Sequence, residues 1–147
     1  MESFFLYIQK SPFSMMLFGA MTASGVMLLW PLLVKAAGRG AREVGTAEAV
    51  QLINRRDALV IDVRDGGEFA LGHIANAKHI PLNELAGRAR ELEKFKNRPI
   101  VIADATGARA GSAAKLLTNA GFTEVVALHG GVNAWLGASM PVVKKSK

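Results

Sequence analysis

The sequence predicts an α/β fold with a mainly parallel central sheet, helices on both faces of the sheet, and one transmembrane helix before it. Three observations support this prediction: a charge-free apolar run near the N-terminus, several short β-branched runs, and helical patterns that alternate with those runs. Half of the 147 residues are hydrophobic, so the excess is expected to be concentrated in one segment. The predicted parts are an extramembrane segment over 1–10, a transmembrane helix over 11–34, a linker over 35–42, a soluble domain over 43–143 and a basic tail over 144–147.

The apolar run lies between Lys10 and Lys35 and contains no charged residue. A hydrocarbon core about 30 Å thick needs about 20 helical residues, which this run supplies. The alternatives are a cleaved signal peptide, which has a shorter apolar stretch, and a buried core helix. Lys35, Arg39 and Arg42 follow the run, whereas Lys10 stands almost alone before it. The positive-inside rule therefore predicts a single-pass inner-membrane protein with its soluble domain in the cytoplasm.

Strands and helices are predicted to alternate in the soluble domain. Continuous β-branched runs are typical of strands that are buried on both faces. The predicted strands cover 43–44, 58–63, 78–80, 99–103 and 124–128. The predicted helices cover 46–55, with Val50 and Ile53 among its buried residues, 83–95, and 110–120, where Gly121 ends the helix. Ligands of such folds bind beyond the carboxyl ends of the strands, so chemistry is expected just after Ala103.

Composition excludes several functions. The chain has no cysteine, which rules out disulfides, cysteine-ligated zinc and thiol-based mechanisms. Its net charge of +6 is compatible with nucleic acid or with an anionic membrane surface. The basic residues are scattered without interleaved aromatic residues, so lipid is favoured and no nucleic acid is expected. The three histidines have no metal-like spacing, and neither a metal nor a cofactor is expected.

Three motifs follow one another in the soluble domain. They are Asp62-Val63-Arg64 with Glu68-Phe69 and Gly72-His73-Ile74, then Asp104-Ala105-Thr106-Gly107-Ala108-Arg109, then Gly130-Gly131 with Ala134-Trp135. In this order and spacing they resemble the rhodanese (sulfurtransferase) family over nearly all of residues 44 to 142. The resemblance implies a rhodanese-like three-layer fold.

The resemblance also implies where chemistry would take place. Active members carry a nucleophilic cysteine at the position of Asp104, followed by the glycine and arginine that match Gly107 and Arg109. Converging N–H groups of such a loop lower the pKa of the cysteine, so that its thiolate can carry sulfur as a persulfide. Asp104 cannot do this. The implied domain therefore has no catalytic residue and is not an enzyme.

Asp104 has several possible roles. One hypothesis is that its carboxylate accepts the loop N–H groups as an internal ligand and excludes external anions, and a decayed site with no present role is the equal alternative. An aspartyl-phosphate nucleophile is disfavoured because the loop has no second acid. Arg109 is expected to form an ion pair with Asp104. By resemblance, Asp62 and Arg64 support neighbouring loops, and His73 is expected to be a hydrogen-bonded turn residue.

The leading function is an inactive rhodanese-like domain that serves as a protein-interaction or positioning module. It resembles bacterial membrane-anchored proteins with aspartate at the cysteine position, which implies contact with lipid through the N-terminal helix and a protein partner of unknown identity. Membrane proteins or their insertion machinery are the partner class that this resemblance suggests. The alternatives are an accessory subunit of a sulfur-transfer system and a sulfurtransferase-related anion-binding domain.

Overall fold

The structure is a computed structural model that describes residues 41–144. The predicted transmembrane helix over 11–34, most of the linker and the last three residues of the basic tail lie outside the described residues. Within 41–144, no helix is both long and apolar enough to cross a bilayer.

A five-stranded sheet forms the centre of the domain. Its strands are β1 (Arg42–Val44), β2 (Leu59–Asp62), β3 (Lys78–His79), β4 (Ile100–Ala103) and β5 (Val125–Leu128). Their order across the sheet is β1-β5-β4-β2-β3, and every neighbouring pair is parallel. The predicted mainly parallel sheet is therefore confirmed. Each parallel crossover needs a connection long enough to return along the sheet, which explains the alternation of strands and helices.

Within residues 41–144, five α-helices connect or follow the strands. They are α1 (Thr46–Arg56), α2 (Gly66–Leu71), α3 (Leu82–Arg88), α4 (Ala110–Asn119) and α5 (Gly131–Gly137). A 3₁₀ helix over Ala89–Phe95 follows α3. The single helix predicted over 83–95 was therefore wrong in its second half. Arg88 leaves helical geometry with φ −104° and ψ 5°, directly after Gly87, whose missing side chain weakens a helix.

Two apolar layers cover the two faces of the sheet. Successive strand residues point to opposite sides, so Val60 and Val101 belong to one layer while Ile61 and Ile102 belong to the other. The first layer also contains residues of α1 and α5, and the second contains residues of α3, the 3₁₀ helix and α4. Helices on both faces confirm the predicted three-layer arrangement.

The burial predicted for α1 needs correction. Its buried residues are Ala49 and Leu52, whereas Val50 and Ile53 are only partly buried at the margin of the same layer. Ala49 is fully buried, so a small residue occupies the centre of the contact and the larger Val50 and Ile53 lie at its edge. Helical periodicity identified the helix, but which of its residues lie closest to the sheet depended on how the helix packs against it.

The candidate site residues Asp62 and Asp104 lie side by side at the carboxyl edge of the sheet. Asp62 of β2 pairs in register with Ala103 of β4, and the N–H of Val63 donates to the carbonyl oxygen of Ala103 over 2.9 Å. Asp62 and the loop that starts at Asp104 therefore leave the sheet side by side. This is the place where ligands bind in open parallel sheets.

Candidate functional site

The carboxylate of Asp104 is almost fully buried, with 1% of the residue exposed. Its Oδ1 accepts a hydrogen bond from the N–H of Gly107 over 2.5 Å, and its Oδ2 accepts one from the N–H of Arg109 over 2.7 Å. Hydrogen bonds from backbone N–H groups to a carboxylate are stronger than those between neutral groups. These are the contacts that the internal-ligand hypothesis requires. That the carboxylate excludes external anions stays a prediction.

The start of α5 holds this loop from the other side. The carbonyl oxygen of Asp104 accepts the N–H of Val132 over 2.8 Å, and that of Ala105 accepts the N–H of Asn133 over 3.1 Å. Gly131 has a φ of +61°, and a Cβ there would lie 2.3 Å from the carbonyl oxygen of Asp104. Only glycine fits that approach. The sequence signalled a tight turn through its Gly-Gly pair, but it did not show that this turn supports the loop.

The predicted ion pair between Arg109 and Asp104 is wrong. Arg109 reaches Asp104 through its backbone N–H, while its guanidinium Nη2 lies 3.5 Å from Oε2 of Glu68. Both oxygens of the Asp104 carboxylate are turned inwards to the loop, whereas the side chain of Arg109 is 46% exposed. The loop therefore stabilises the carboxylate of Asp104 with backbone N–H dipoles, and the side chain of Arg109 stays at the surface.

Asp62 and Arg64 form a buried pair beside the loop. The guanidinium of Arg64 donates from Nε to both carboxylate oxygens of Asp62, at 3.0 and 3.1 Å, and from Nη2 to Oδ2 over 2.7 Å. Nη2 of Arg64 also donates to the carbonyl oxygen of Gly72 over 2.8 Å. The pair therefore connects the end of β2 to the segment that follows α2. Its proposed loop-supporting role stays a prediction.

Two histidines stack on one phenylalanine near this pair. The ring of Phe69 lies 3.7 Å from that of His73 and 4.5 Å from that of His79, measured between centroids. Nδ1 of His73 lies 2.8 Å from the carbonyl oxygen of Phe69, and Nε2 of His79 lies 2.8 Å from that of Arg64. His73 is thus a hydrogen-bonded turn residue, as predicted. The stack itself was not predicted, because the two histidines belong to different segments.

Two open clefts border the site. One, of about 310 Å³, is lined by Arg64, Glu68, Leu71, Gly72, Val132, Asn133, Leu136 and Val142. The other, of about 470 Å³, is lined by Val63, Asp65, Pro81, Leu82, Asn83 and Arg109. Glu68 and Arg109, one from each lining, form the surface pair described above. Of the loop itself, Arg109 lines the larger cleft, while the carboxylate of Asp104 is buried.

The arrangement limits the chemistry of the site. The described residues contain no cluster of three or more His, Cys, Asp or Glu that could hold a metal ion. Asp104 uses both carboxylate oxygens within the loop and is 1% exposed, so it is poorly placed to attack a substrate. Its geometry suits a group that stabilises the loop.

Comparisons with known proteins agree with this fold. Residues 46–138 match the sequence model of the Rhodanese-like domain, a range that includes the Asp104 loop and four of the five strands. The chain is 40% identical to YibN of Escherichia coli (strain K12) over 98 residues, which are 66% of this chain and 68% of that protein. It is 33% identical over 94 residues to the thiosulfate sulfurtransferase GlpE of Coxiella burnetii (strain RSA 331 / Henzerling II), covering 64% of this chain and 86% of GlpE.

A solved structure extends the comparison to three dimensions. The crystal structure of a rhodanese-related protein from Thermoplasma volcanium superimposes with a TM-score of 0.64 at 30% sequence identity. The match covers 71% of this chain and 99% of that one. The sheet and helices described above are therefore similar to those of an entire solved domain.

Proposed function

The chain belongs to the Rhodanese-like domain family, and from that premise we propose that it is a member without sulfurtransferase activity. In this proposal the domain is a protein-interaction or positioning module. It is tethered by the segment 11–34 to the cytoplasmic face of a bacterial inner membrane. Its partner is a protein, and membrane proteins are the class that this location favours.

The observation that carries the proposal is the buried carboxylate of Asp104. A sulfur-carrying thiolate would have to occupy this position, yet the chain contains no cysteine at all. The N–H groups of Gly107 and Arg109, which could lower the pKa of a thiol, instead donate to the carboxylate. The loop thus retains the shape of an anion cradle while its own side chain fills it.

A thiosulfate-to-cyanide sulfurtransferase assay tests this proposal. An active thiolate takes the outer sulfur of thiosulfate as a persulfide and releases sulfite, and cyanide then removes that sulfur as thiocyanate. We expect the native chain to be inactive and Asp104→Cys to turn over, because the new thiol would face the same two N–H groups. Ser112→Cys, on the exposed surface of α4, is the matched control and should remain inactive.

Each result has a definite meaning for the site. Turnover by the native chain above the background without protein would refute the proposal. Activity of Asp104→Cys alone would mean that the cradle is intact and that only the nucleophile differs. If Asp104→Cys is also inactive although it folds, the loop has diverged further, and the module would act through other surfaces.

The proposed topology has a separate test, which the absence of native cysteine simplifies. Single cysteines at Ser3 and Ser112 would be treated with a membrane-impermeant maleimide in cells whose outer membrane is permeabilised. We expect labelling at position 3 and protection at position 112 until the inner membrane is lysed. The reverse pattern would contradict the orientation, and release of the chain by an alkaline carbonate wash would contradict the membrane tether.

An accessory role in sulfur transfer is the second candidate, and the likeness to GlpE is the observation in its favour. This role predicts a loop that accepts external anions. The hydrogen bonds from Gly107 and Arg109 to Asp104 weigh against it, because those donors are already used. Titration with thiosulfate, followed by calorimetry, separates the two: binding by the native chain would favour the accessory role.

A further inference from the structure

The most exposed apolar side chains lie beside the smaller of the two clefts. Leu71, Leu136 and Val143 are the exposed large hydrophobic residues of the described part, at 77%, 49% and 43%. Leu71 and Leu136 line the 310 Å³ cleft together with Val142. These three cleft residues, Leu71, Leu136 and Val142, are called the apolar patch below. Clustered exposed apolar residues of this kind mark interaction sites more often than single ones do.

The same place carries an open strand edge. Val143 exchanges two backbone hydrogen bonds with His73, of 2.9 and 2.8 Å, as an isolated antiparallel bridge. In an antiparallel pair, the residue next to such a bridge turns its N–H and C=O to the opposite side. Within residues 41–144, the N–H and C=O of Val142 have no hydrogen-bond partner. They can therefore pair with a strand from another molecule.

Positive charge next to the patch favours a peptide strand that carries acidic residues. Val143 is followed by Lys144, Lys145 and Lys147, in a chain whose net charge is already +6. A peptide that runs along Val142 and Val143 would bring its next residues close to Lys144, which is exposed. Acidic side chains at that end of the peptide would be attracted, and basic ones would be repelled.

We propose that the apolar patch binds an extended peptide of a partner protein, which pairs with the backbone of Val142, covers Leu71 and Leu136 with apolar side chains, and places acidic residues near Lys144. This inference rests on the proposed function, because it names the surface of the interaction module and the chemistry of its partner. The buried Asp104 loop supports the surface from behind through Val132 and Asn133, which also line the cleft.

Two other occupants fit less well. A second copy of the chain would bring together two chains of net charge +6, which repel each other. An anionic lipid surface would suit Lys144, but it offers no backbone groups to pair with the N–H and C=O of Val142. A lipid surface also fits a projecting patch better than a concave one with unpaired backbone groups. A peptide with apolar and acidic residues would use the apolar side chains, the unpaired backbone of Val142 and the positive charge of Lys144 together.

The test is selection from a random-peptide phage library against the whole chain, residues 1–147, in detergent micelles. Selected sequences are expected to combine apolar residues with a cluster of Asp or Glu. A synthetic copy should bind Leu136→Glu and Leu71→Glu at least about tenfold more weakly than the native chain, since an unpaired charge would be buried. Gln51→Glu adds the same single charge at an exposed position of α1 and should bind normally.

Four results would overturn the proposal. The first is a selection that enriches no sequence above the beads alone, and the second is a peptide whose affinity ignores both patch variants. The third is displacement of the bound peptide by phosphatidylglycerol added to the micelles, but not by phosphatidylcholine at the same concentration, which would assign the patch to lipid. The fourth is a dimer in sedimentation that Leu136→Glu dissolves, which would assign it to a second copy.

The sulfurtransferase assay distinguishes a failure of this inference from a failure of the proposed function on which it rests. An inactive native chain without a patch-dependent peptide would remove only the docking surface. An active native chain would refute the proposed function, whatever the peptide selection shows.

Discussion

Arg64 and Arg88 each hold carboxylates with three hydrogen bonds from the guanidinium, but they do so in different surroundings. Arg64 binds Asp62 with side chains that are 7% and 1% exposed. Arg88 binds Glu84 and Glu91 on the surface, where the three side chains are 35%, 51% and 45% exposed. The bond lengths are similar in the two places, so they do not distinguish the pairs.

Burial gives the two pairs different physical roles. Removing one partner of a buried pair leaves a charge without solvent, whereas water replaces a lost partner at the surface. Arg64 also donates to the carbonyl oxygen of Gly72 and so joins two segments at the carboxyl edge of the sheet. Arg88 joins residues within one turn or so of its own position. The first pair is expected to matter for the site, and the second mainly for local helix structure.

The largest expected effect follows from removing Arg64. Arg64→Ala should lower the free energy of unfolding by about 3–5 kcal/mol, because Asp62 would remain buried without its counter-charge. Urea unfolding followed by the fluorescence of the buried Trp135, in a Trp30→Phe background, measures this. The comparison would fail if Arg88→Ala, the matched surface variant, destabilised the chain as much as Arg64→Ala.

An intermediate effect is expected at Asp104. Asp104→Ala leaves the N–H groups of Gly107 and Arg109 without their acceptor, which should cost about 2 kcal/mol of unfolding free energy. Asp104→Asn keeps one acceptor oxygen but turns an NH₂ group towards the other donor, so its loss should be smaller.

Hydrogen exchange makes the Asp104 prediction specific to the loop. The amide protons of Gly107 and Arg109 should exchange faster in Asp104→Ala, while those in α1 change only with global stability. Unchanged exchange at both loop amides would show that the carboxylate does not hold the loop in solution.

The smallest expected effect is a pH-dependent one at Glu91. Hydrogen bonds from Arg88 lower the pKa of Glu91, with a further contribution from the charge of Arg88. A carboxylate with a lowered pKa stabilises the folded chain above its usual pKa of about 4.3, and this contribution is lost as the pH falls through the lowered value. Glu91→Gln should therefore be slightly less stable than the native chain at neutral pH and equally stable in strong acid.

Salt provides the control for that prediction. Because the Glu91 pair is exposed, high ionic strength should remove the small difference at neutral pH. The loss from Arg64→Ala should persist in the same salt, since Asp62 is screened poorly where it is buried. A Glu91→Gln difference that survives in both salt and acid would have a cause other than this ion pair.

Much of the fold could be predicted from the sequence because its signals are local. Continuous β-branched runs indicated β2, β4 and β5, and helical periodicity together with Gly121 indicated α4 and its end. The 3₁₀ helix after Arg88 was missed because its apolar spacing is similar to that of an α-helix. The position of Asp104 at the carboxyl edge was expected because it directly follows a predicted strand, and its contacts with loop N–H groups were expected from the resemblance to the rhodanese family.

The sequence by itself determined that the domain is built from alternating strands and helices, that it resembles the rhodanese family, and that no thiol is present to carry sulfur. These properties depend on composition and on spacing along the chain. Only the tertiary structure decided that Arg109 pairs with Glu68, that Gly131 presses against the carbonyl of Asp104, and that Val143 joins His73. Such partners belong to segments distant along the chain, so their contacts depend on how helices and strands pack, which local patterns do not encode.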